Sequence, residues 1–383
     1  MEADGFKVEV WDLTKAFYPE FSSKYQPPDP IDWAGCKIFT TYKIAVQEIE
    51  KLTSETFVIN LVNNLQKRLI IYKALAKNKA DYAVYMAGAY PQTSVDEESN
   101  IPPLSKRISK HLRKNPIALI KSSIFMGLSK IPNSWRGIKP ATLILAGGER
   151  CFIYPYPVDK KTEILWGHNW DYDLYLNEIN KPVLERQIAV FLDTFVPFHP
   201  DNIRKHIQYG IKPPIPAEKY YPTLTSFFKR LEHALNLEVV IAAHPRSHYD
   251  ELPDYFEGRE CIRGETIRLI RESQVVLAHG SASLNFANLF YKPAIFMTSS
   301  LMDNSYHYDP IRRMAGWFGK KPISIDDADK TIDWEKELEI NIPRYEQYRR
   351  CFIKKPGSKE LPFWQIFADW LNNRETNNNH SPI

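Results

Sequence analysis

The sequence predicts an α/β protein built from two parallel-sheet units. Three observations predict it. The chain has 383 residues, too many for one small core and enough for roughly two domains. Its hydrophobic content of 44% and charged content of 25% are ordinary for a globular protein. Between Leu237 and Ser300, the apolar runs Val239–Ala243, Val275–Ala278 and Ala294–Met297 alternate with helical spacing at Thr266–Ser273 and Ser283–Phe290. Strand and helix alternating at this size read as a parallel sheet with crossover helices.

A first unit is expected over residues 1–185. Strands are predicted at Lys7–Trp11, Lys37–Thr41, Phe57–Val62, Tyr82–Met86, Thr142–Ala146 and Glu163–Trp166. Helical spacing occurs at Tyr42–Leu52 and at Asn64–Ala76, where Leu65, Leu69, Ile70 and Tyr72 share a face. The opening EADGFKVEVWDL reads as the end of a first helix followed by a second strand, so a preceding strand is absent or supplied from elsewhere. Pro155, Pro157 and Pro182 punctuate residues 155–186, and the polar stretch His168–Asp173 inside them reads as a joining turn.

The second unit is expected over residues 186–355, opening with the strand Ile188–Leu192. In the helix Tyr221–Leu235, the residues Leu224, Phe227, Phe228, Leu231 and Leu235 form a core-facing stripe. After the three strands of the opening paragraph, Asp333–Leu338 and Tyr345–Cys351 read as surface helices. A returning helix is expected within 356–371, since Leu361–Leu371 is apolar enough to dock. The asparagine-rich tail 372–383 is expected to be disordered.

Net charge is only +4, which does not favour a nucleic-acid partner. The charge is local, however: nine cations and no acid lie between Asn100 and Gly148, leaving the rest of the chain at −5. Within residues 104–121, Leu104, Ile108 and Leu112 recur at four-residue spacing among Lys106, Arg107, Lys110, Arg113 and Lys114. That pattern fits an anionic membrane surface or anionic ligand, with a solvated helix face as the alternative. It lacks the interleaved aromatics of a single-strand platform. The 4 cysteines are scattered, no apolar run approaches the ~18–20 residues of a membrane span, and the amino terminus has no apolar signal region. The expectation is a cytoplasmic protein, peripheral at most to the inner face of the membrane.

The chemistry is expected where strands end. In a parallel sheet the loops after the carboxyl ends of the strands open on one edge, where ligands bind. His244-Pro245-Arg246-Ser247 and His279-Gly280-Ser281-Ala282-Ser283 should meet there. Imidazole, guanidinium, hydroxyls and a helix start suit a phosphate. Each motif alone also reads as a satisfied loop histidine or a helix cap. A third exit presents Asp193, His199 and Asp201, as base or sugar contact, or as a helix cap. Asp171 and Asp173 are candidate bases, or turn residues. Gly147 and Gly148 mark a tight turn or a close backbone approach. GxGxxG, GxxxxGK[ST] and HExxH are all absent, which excludes dinucleotide, P-loop and zincin chemistry of the usual kind.

From about Ala189 to Asp327 the chain resembles the donor-binding domain of GT-B glycosyltransferases of bacterial surface-polysaccharide assembly, including sialyltransferase-like enzymes that use CMP-activated sugars. Those carry an HP motif and a paired-serine motif for the donor. The matching positions are His244-Pro245 and Ser281 with Ser283, here separated by Ala282. The same arrangement resembles CDP-polyol phosphotransferases of teichoic acid synthesis. The resemblance implies two Rossmann-like domains facing across a cleft, with the C-terminal helix crossing back to the first. It implies a CMP-sugar or UDP-sugar donor, a polysaccharide or lipid-linked glycan acceptor, and neither cofactor nor metal. His244, Ser281 and Ser283 would stabilise the departing nucleotide, and Asp171, Asp173 or Asp193 would deprotonate the acceptor. A nucleotide-sugar epimerase and a non-catalytic glycan-binding protein are the rival readings.

Overall fold

The computed structural model describes residues 1–19, 33–62, 65–88, 90–91, 135–152, 156–200, 203, 215–302, 308–327 and 331–379. The basic stretch 104–121 and Asp201 lie outside the described residues. Every pairing between the described strands is parallel. Among the described residues, strands β1 (Val10–Asp12) and β2 (Cys36–Ile38) pair only with each other. Strands β3 (Phe57–Asn60), β4 (Asp81–Tyr85), β5 (Leu143–Ala146) and β6 (Glu163–Trp166) lie side by side in chain order. The second sheet contains β7 (Ile188–Leu192), β8 (Glu238–Ala243), β9 (Cys261–Arg263), β10 (Val275–Ala278), β11 (Ala294–Thr298) and β12 (Ile323–Ser324). The fold class is α/β, as expected, with two Rossmann-like units. Strands β9 and β12 are too short to show as apolar runs.

The second sheet runs β12-β11-β10-β7-β8-β9. The chain winds outward from β7 through β8 and β9, then returns to place β10 on the other flank of β7. Connections that diverge from one strand in this way open a crevice at the carboxyl ends. The exits of β8, β7 and β10 therefore lie next to one another.

Parallel sheets need cover on both faces, and all five residues of β7 are buried. One covering helix, Ala217–Leu235, buries Tyr220, Leu224, Phe227, Phe228 and Leu231, close to the expected stripe. The first sheet sorts its residues by alternation: Tyr82, Val84, Ile144 and Ala146 enter one core, while Ala83, Leu143 and Leu145 enter the other. That second core is closed by Phe363, Phe367 and Leu371 of the helix Phe363–Asn379. The C-terminal helix thus crosses back to the first unit, as expected. It also continues past Leu371 into the polar tail expected to be disordered, where Arg374 donates to Asp81.

Two further expectations are corrected. The polar stretch read as a joining turn begins a helix, Trp170–Glu178, because Asn169 caps it by accepting from the Tyr172 amide at 3.2 Å. The helix Ile342–Tyr348 is more than a surface helix: it exposes Ile342, Pro343 and Glu346 but buries Tyr345 and Tyr348 on its other face. Beyond it, the wide π-helical turn Arg349–Ile353 buries Cys351, Phe352 and Ile353. The chain then passes over the exit edge of the first sheet. There Cys351 O accepts from the Arg150 amide at 2.8 Å, Ile353 O from Asn169 at 2.8 Å, and the Lys355 amide donates to Gly147 O at 3.1 Å.

Gly148 is the point of closest approach. A Cβ built there would lie 2.3 Å from the Cys351 carbonyl oxygen, so backbone would have to move. The glycine pair admits the protein's own chain. Gly148→Ala is expected to cost about 1–3 kcal/mol, read as a lower midpoint in chemical denaturation; an unchanged midpoint would contradict this packing.

Candidate functional site

The exit of β8 is a closed turn. The His244 carbonyl accepts from the Ser247 amide at 2.8 Å and from its hydroxyl at 2.7 Å. Ser247 is buried, and its own carbonyl accepts from Arg263 at 3.1 Å. Ser247 therefore builds the turn and is no ligand contact. Pro245 is exposed and fixes the bend. The Arg246 amide donates to Nδ1 of His244 at 3.1 Å, so the neutral ring carries its proton on Nε2. His199 stands edge-on to this imidazole, with ring centroids 4.8 Å apart. It belongs with His244 rather than with a separate base.

Asp193, at the exit of β7, was a candidate base; the structure gives it another task. Its Oδ1 accepts from the Phe195 amide at 2.8 Å. Its Oδ2 accepts from the His244 amide at 3.3 Å and from the Tyr249 hydroxyl at 2.9 Å. Burial pushes this carboxyl up to about 6 despite those donors. With both oxygens occupied, Asp193 ties the β7 and β8 exits together.

The exit of β10 divides likewise. His279 is buried: its Nδ1 donates to the Met297 carbonyl at 2.8 Å and its Nε2 accepts from Tyr220 at 2.8 Å. Both nitrogens are used within the protein, and burial holds the imidazole down to about 4. His279 is a neutral brace, contrary to its expected ligand role. A Cβ on Gly280 would meet Ile311 only at 3.6 Å, so packing does not demand glycine there. Ser281 accepts from the Ser283 amide at 3.2 Å, and Ser283 precedes the short helix Leu284–Leu289 without capping it through its side chain. The two hydroxyls sit where β10 leaves the crevice.

The first unit supplies one carboxylate to this edge. Asp171 Oδ2 accepts from Asn285 Nδ2 at 2.6 Å, two residues beyond Ser283. Burial raises its pKa, and the Asn285 bond opposes that. Asp173 does not join it. Its Oδ1 accepts from the Phe363 amide at 2.7 Å and so caps the returning helix. Asn285 and Tyr348 were not read from the sequence. A polar signal existed: Asn285 and Asn288 lie in a helix whose six residues are all buried, and buried amides must find partners.

Among the described residues no group of three His, Cys, Asp or Glu is placed to hold a metal, and no helix is long and apolar enough to cross a membrane. An open groove of about 370 Å³ between Trp166 and Trp370 contains none of the residues above. Its charged groups are engaged: Lys359 pairs with Asp369 at 2.9 Å and Lys355 covers the Trp166 ring at 4.1 Å.

No protein-family model matches the chain, and no curated protein matches it. Solved structures do. The wall teichoic acid polymerase TagF is 11% identical, with 100% of this chain and 92% of that one covered and a TM-score of 0.48. The calicheamicin glycosyltransferase is 8% identical, covering 95% and 90%, at 0.44. The UDP-GlcNAc 2-epimerase of Methanocaldococcus jannaschii, in complex with UDP-GlcNAc and UDP, is 13% identical, covering 85% and 79%, at 0.41. None is similar enough to assign a role.

The buried histidine sets a pH test. Because its folded pKa of about 4 lies below the ordinary 6.5, the unfolded chain binds the proton first as pH falls. Stability is lost from pH 6.5 down to 4, by roughly 3 kcal/mol in full. Asp193 acts oppositely, adding stability as pH falls through about 6, but it is common to wild type and variant. The stability gap between wild type and His279→Asn should therefore narrow from pH 7 to 4 in urea titrations. A constant gap would contradict a neutral brace.

Proposed function

We propose that the protein is a metal-independent glycosyltransferase taking its sugar from a nucleotide-activated donor. The observation that carries this reading is the 2.6 Å bond between Asp171 and Asn285. It brings a carboxylate of the first unit to the helix that follows Ser281 and Ser283. A base and a phosphate-binding turn on opposite sides of one crevice are the two parts that transfer from a sugar phosphate requires. The HP and serine motifs favour a CMP-sugar, with a UDP-sugar as the alternative donor.

The parts divide as follows. His244, through its Nε2 proton, and the hydroxyls of Ser281 and Ser283 stabilise the phosphate, with Arg246 supplying positive charge and His199 buttressing His244. The acceptor hydroxyl attacks the anomeric carbon as the bond from that carbon to the donor phosphate breaks. Its proton passes to Asp171, and the nucleotide departs with the bonding electrons. Burial makes Asp171 a stronger base than an exposed aspartate, and turnover should rise with pH as it ionises. The acceptor in this reading is a surface polysaccharide or lipid-linked glycan, with residues 104–121 meeting an anionic membrane.

Titration with CMP, CDP, UDP and GDP should show clear binding of one, weakened about tenfold by His244→Ala. Binding by none would remove the donor site. Asp171→Asn should keep that affinity and lose at least ~100-fold in transfer; full activity would exclude it as base. Conversion of the donor sugar without any acceptor would make the protein an epimerase instead.

A further inference from the structure

We infer that Asn285 and Tyr348 are positioning residues for Asp171: the Tyr348 hydroxyl fixes the Asn285 amide, and that amide aims the carboxylate. The inference rests on Asp171 being the base proposed above. An asparagine side chain has an oxygen end and a nitrogen end, and a buried one must present each to the right partner. Here the Tyr348 hydroxyl donates to Asn285 Oδ1 at 2.7 Å, which commits Nδ2 to Asp171 at 2.6 Å. Asn285 is 5% exposed and Tyr348 1% exposed, so water does not compete at the bond between them, while the bond to Asp171 is half-buried.

The returning segment grips the same short helix at three further points. Asn288 Nδ2 donates to the Tyr345 carbonyl at 2.9 Å. Arg349 donates to the carbonyls of Asn288, at 2.9 Å, and Leu289, at 3.3 Å. The helix therefore cannot turn about its axis without breaking bonds to residues 345–349. Its orientation, and with it the separation of Asp171 from Ser281 and Ser283, is set by residues 345–349.

Tyr85 on β4, Tyr90 and Tyr348 on the returning segment lie near Asp171, as does Asp173 two residues on in the same helix, whose Oδ1 accepts from the Phe363 amide. Burial raises all three phenols far above their usual range, so none carries charge at neutral pH. Asn285 is then the group that favours the ionised carboxylate, and Tyr348 the group that keeps Asn285 in register.

The test reads Asp171 directly. The protein labelled with 13C at aspartate carboxyls is titrated by NMR, the Asp171 signal being identified by its loss in Asp171→Asn. Asn285→Leu should move the Asp171 midpoint upward by about one pH unit. Tyr348→Phe, which removes one oxygen, should move it upward by less. Midpoints equal to wild type in both variants would overturn the inference. If Asn285→Leu fails to fold, Tyr348→Phe decides alone. No nucleotide is needed for this readout. A shift in a protein that binds none of the four nucleotides keeps the relay and removes the transferase reading; nucleotide binding without a shift does the reverse.

Discussion

The passage of residues 349–355 across the exit edge of the first sheet is the constraint on which the other features depend. It spends the loop after β5 on the protein's own backbone, since Gly148 admits Cys351 and Gly147 accepts from Lys355. It delivers Phe363 to the start of a helix that Asp173 caps, and that helix closes one face of the first sheet. Upstream it carries Tyr345, Tyr348 and Arg349 to the helix after Ser283. One strand of chain thus covers a sheet, joins two units and orients one wall of the crevice. Buried backbone bonds make this tie firm, because breaking any of them would leave an unpaired polar group out of water.

Three aspartates near strand exits show how surroundings divide one residue type among different tasks. Asp193 is surrounded by donors and serves as a tie between loops. Asp173 accepts a helix-starting amide and serves as a cap. Among the described residues Asp171 accepts from the side chain of Asn285, and its half-buried setting raises its pKa. The histidines divide similarly: His279 spends both nitrogens inside the core, whereas His244 accepts through Nδ1 from the amide of its own turn at the strand exit.

Much of the architecture was legible in the chain because apolar runs buried on both faces leave a strong mark. β7, β8, β10 and β11 appear within a residue of their expected places. The alignment of His244 and His279 on one edge was legible for the same reason, since strand ends locate loops. Roles were less legible. Whether an aspartate caps, ties or faces a crevice depends on donors far away in sequence, such as Phe363 for Asp173 and Tyr249 for Asp193. The Tyr348–Asn285 pair spans 63 positions and has no periodic signature. Short edge strands such as β12 take their conformation from the neighbour they pair with, so local residues carry little sign of them.

The crevice reading makes one spatial claim above all: phosphate binds where β8 and β10 end, facing Asp171. A crystal structure with the tightest-binding nucleotide tests it most directly. Phosphate oxygens are expected within hydrogen-bond distance of His244 and of Ser281 or Ser283, on the side of the crevice opposite Asp171. Phosphate bound instead at the exit edge of the first sheet, or in the groove between Trp166 and Trp370, would contradict it.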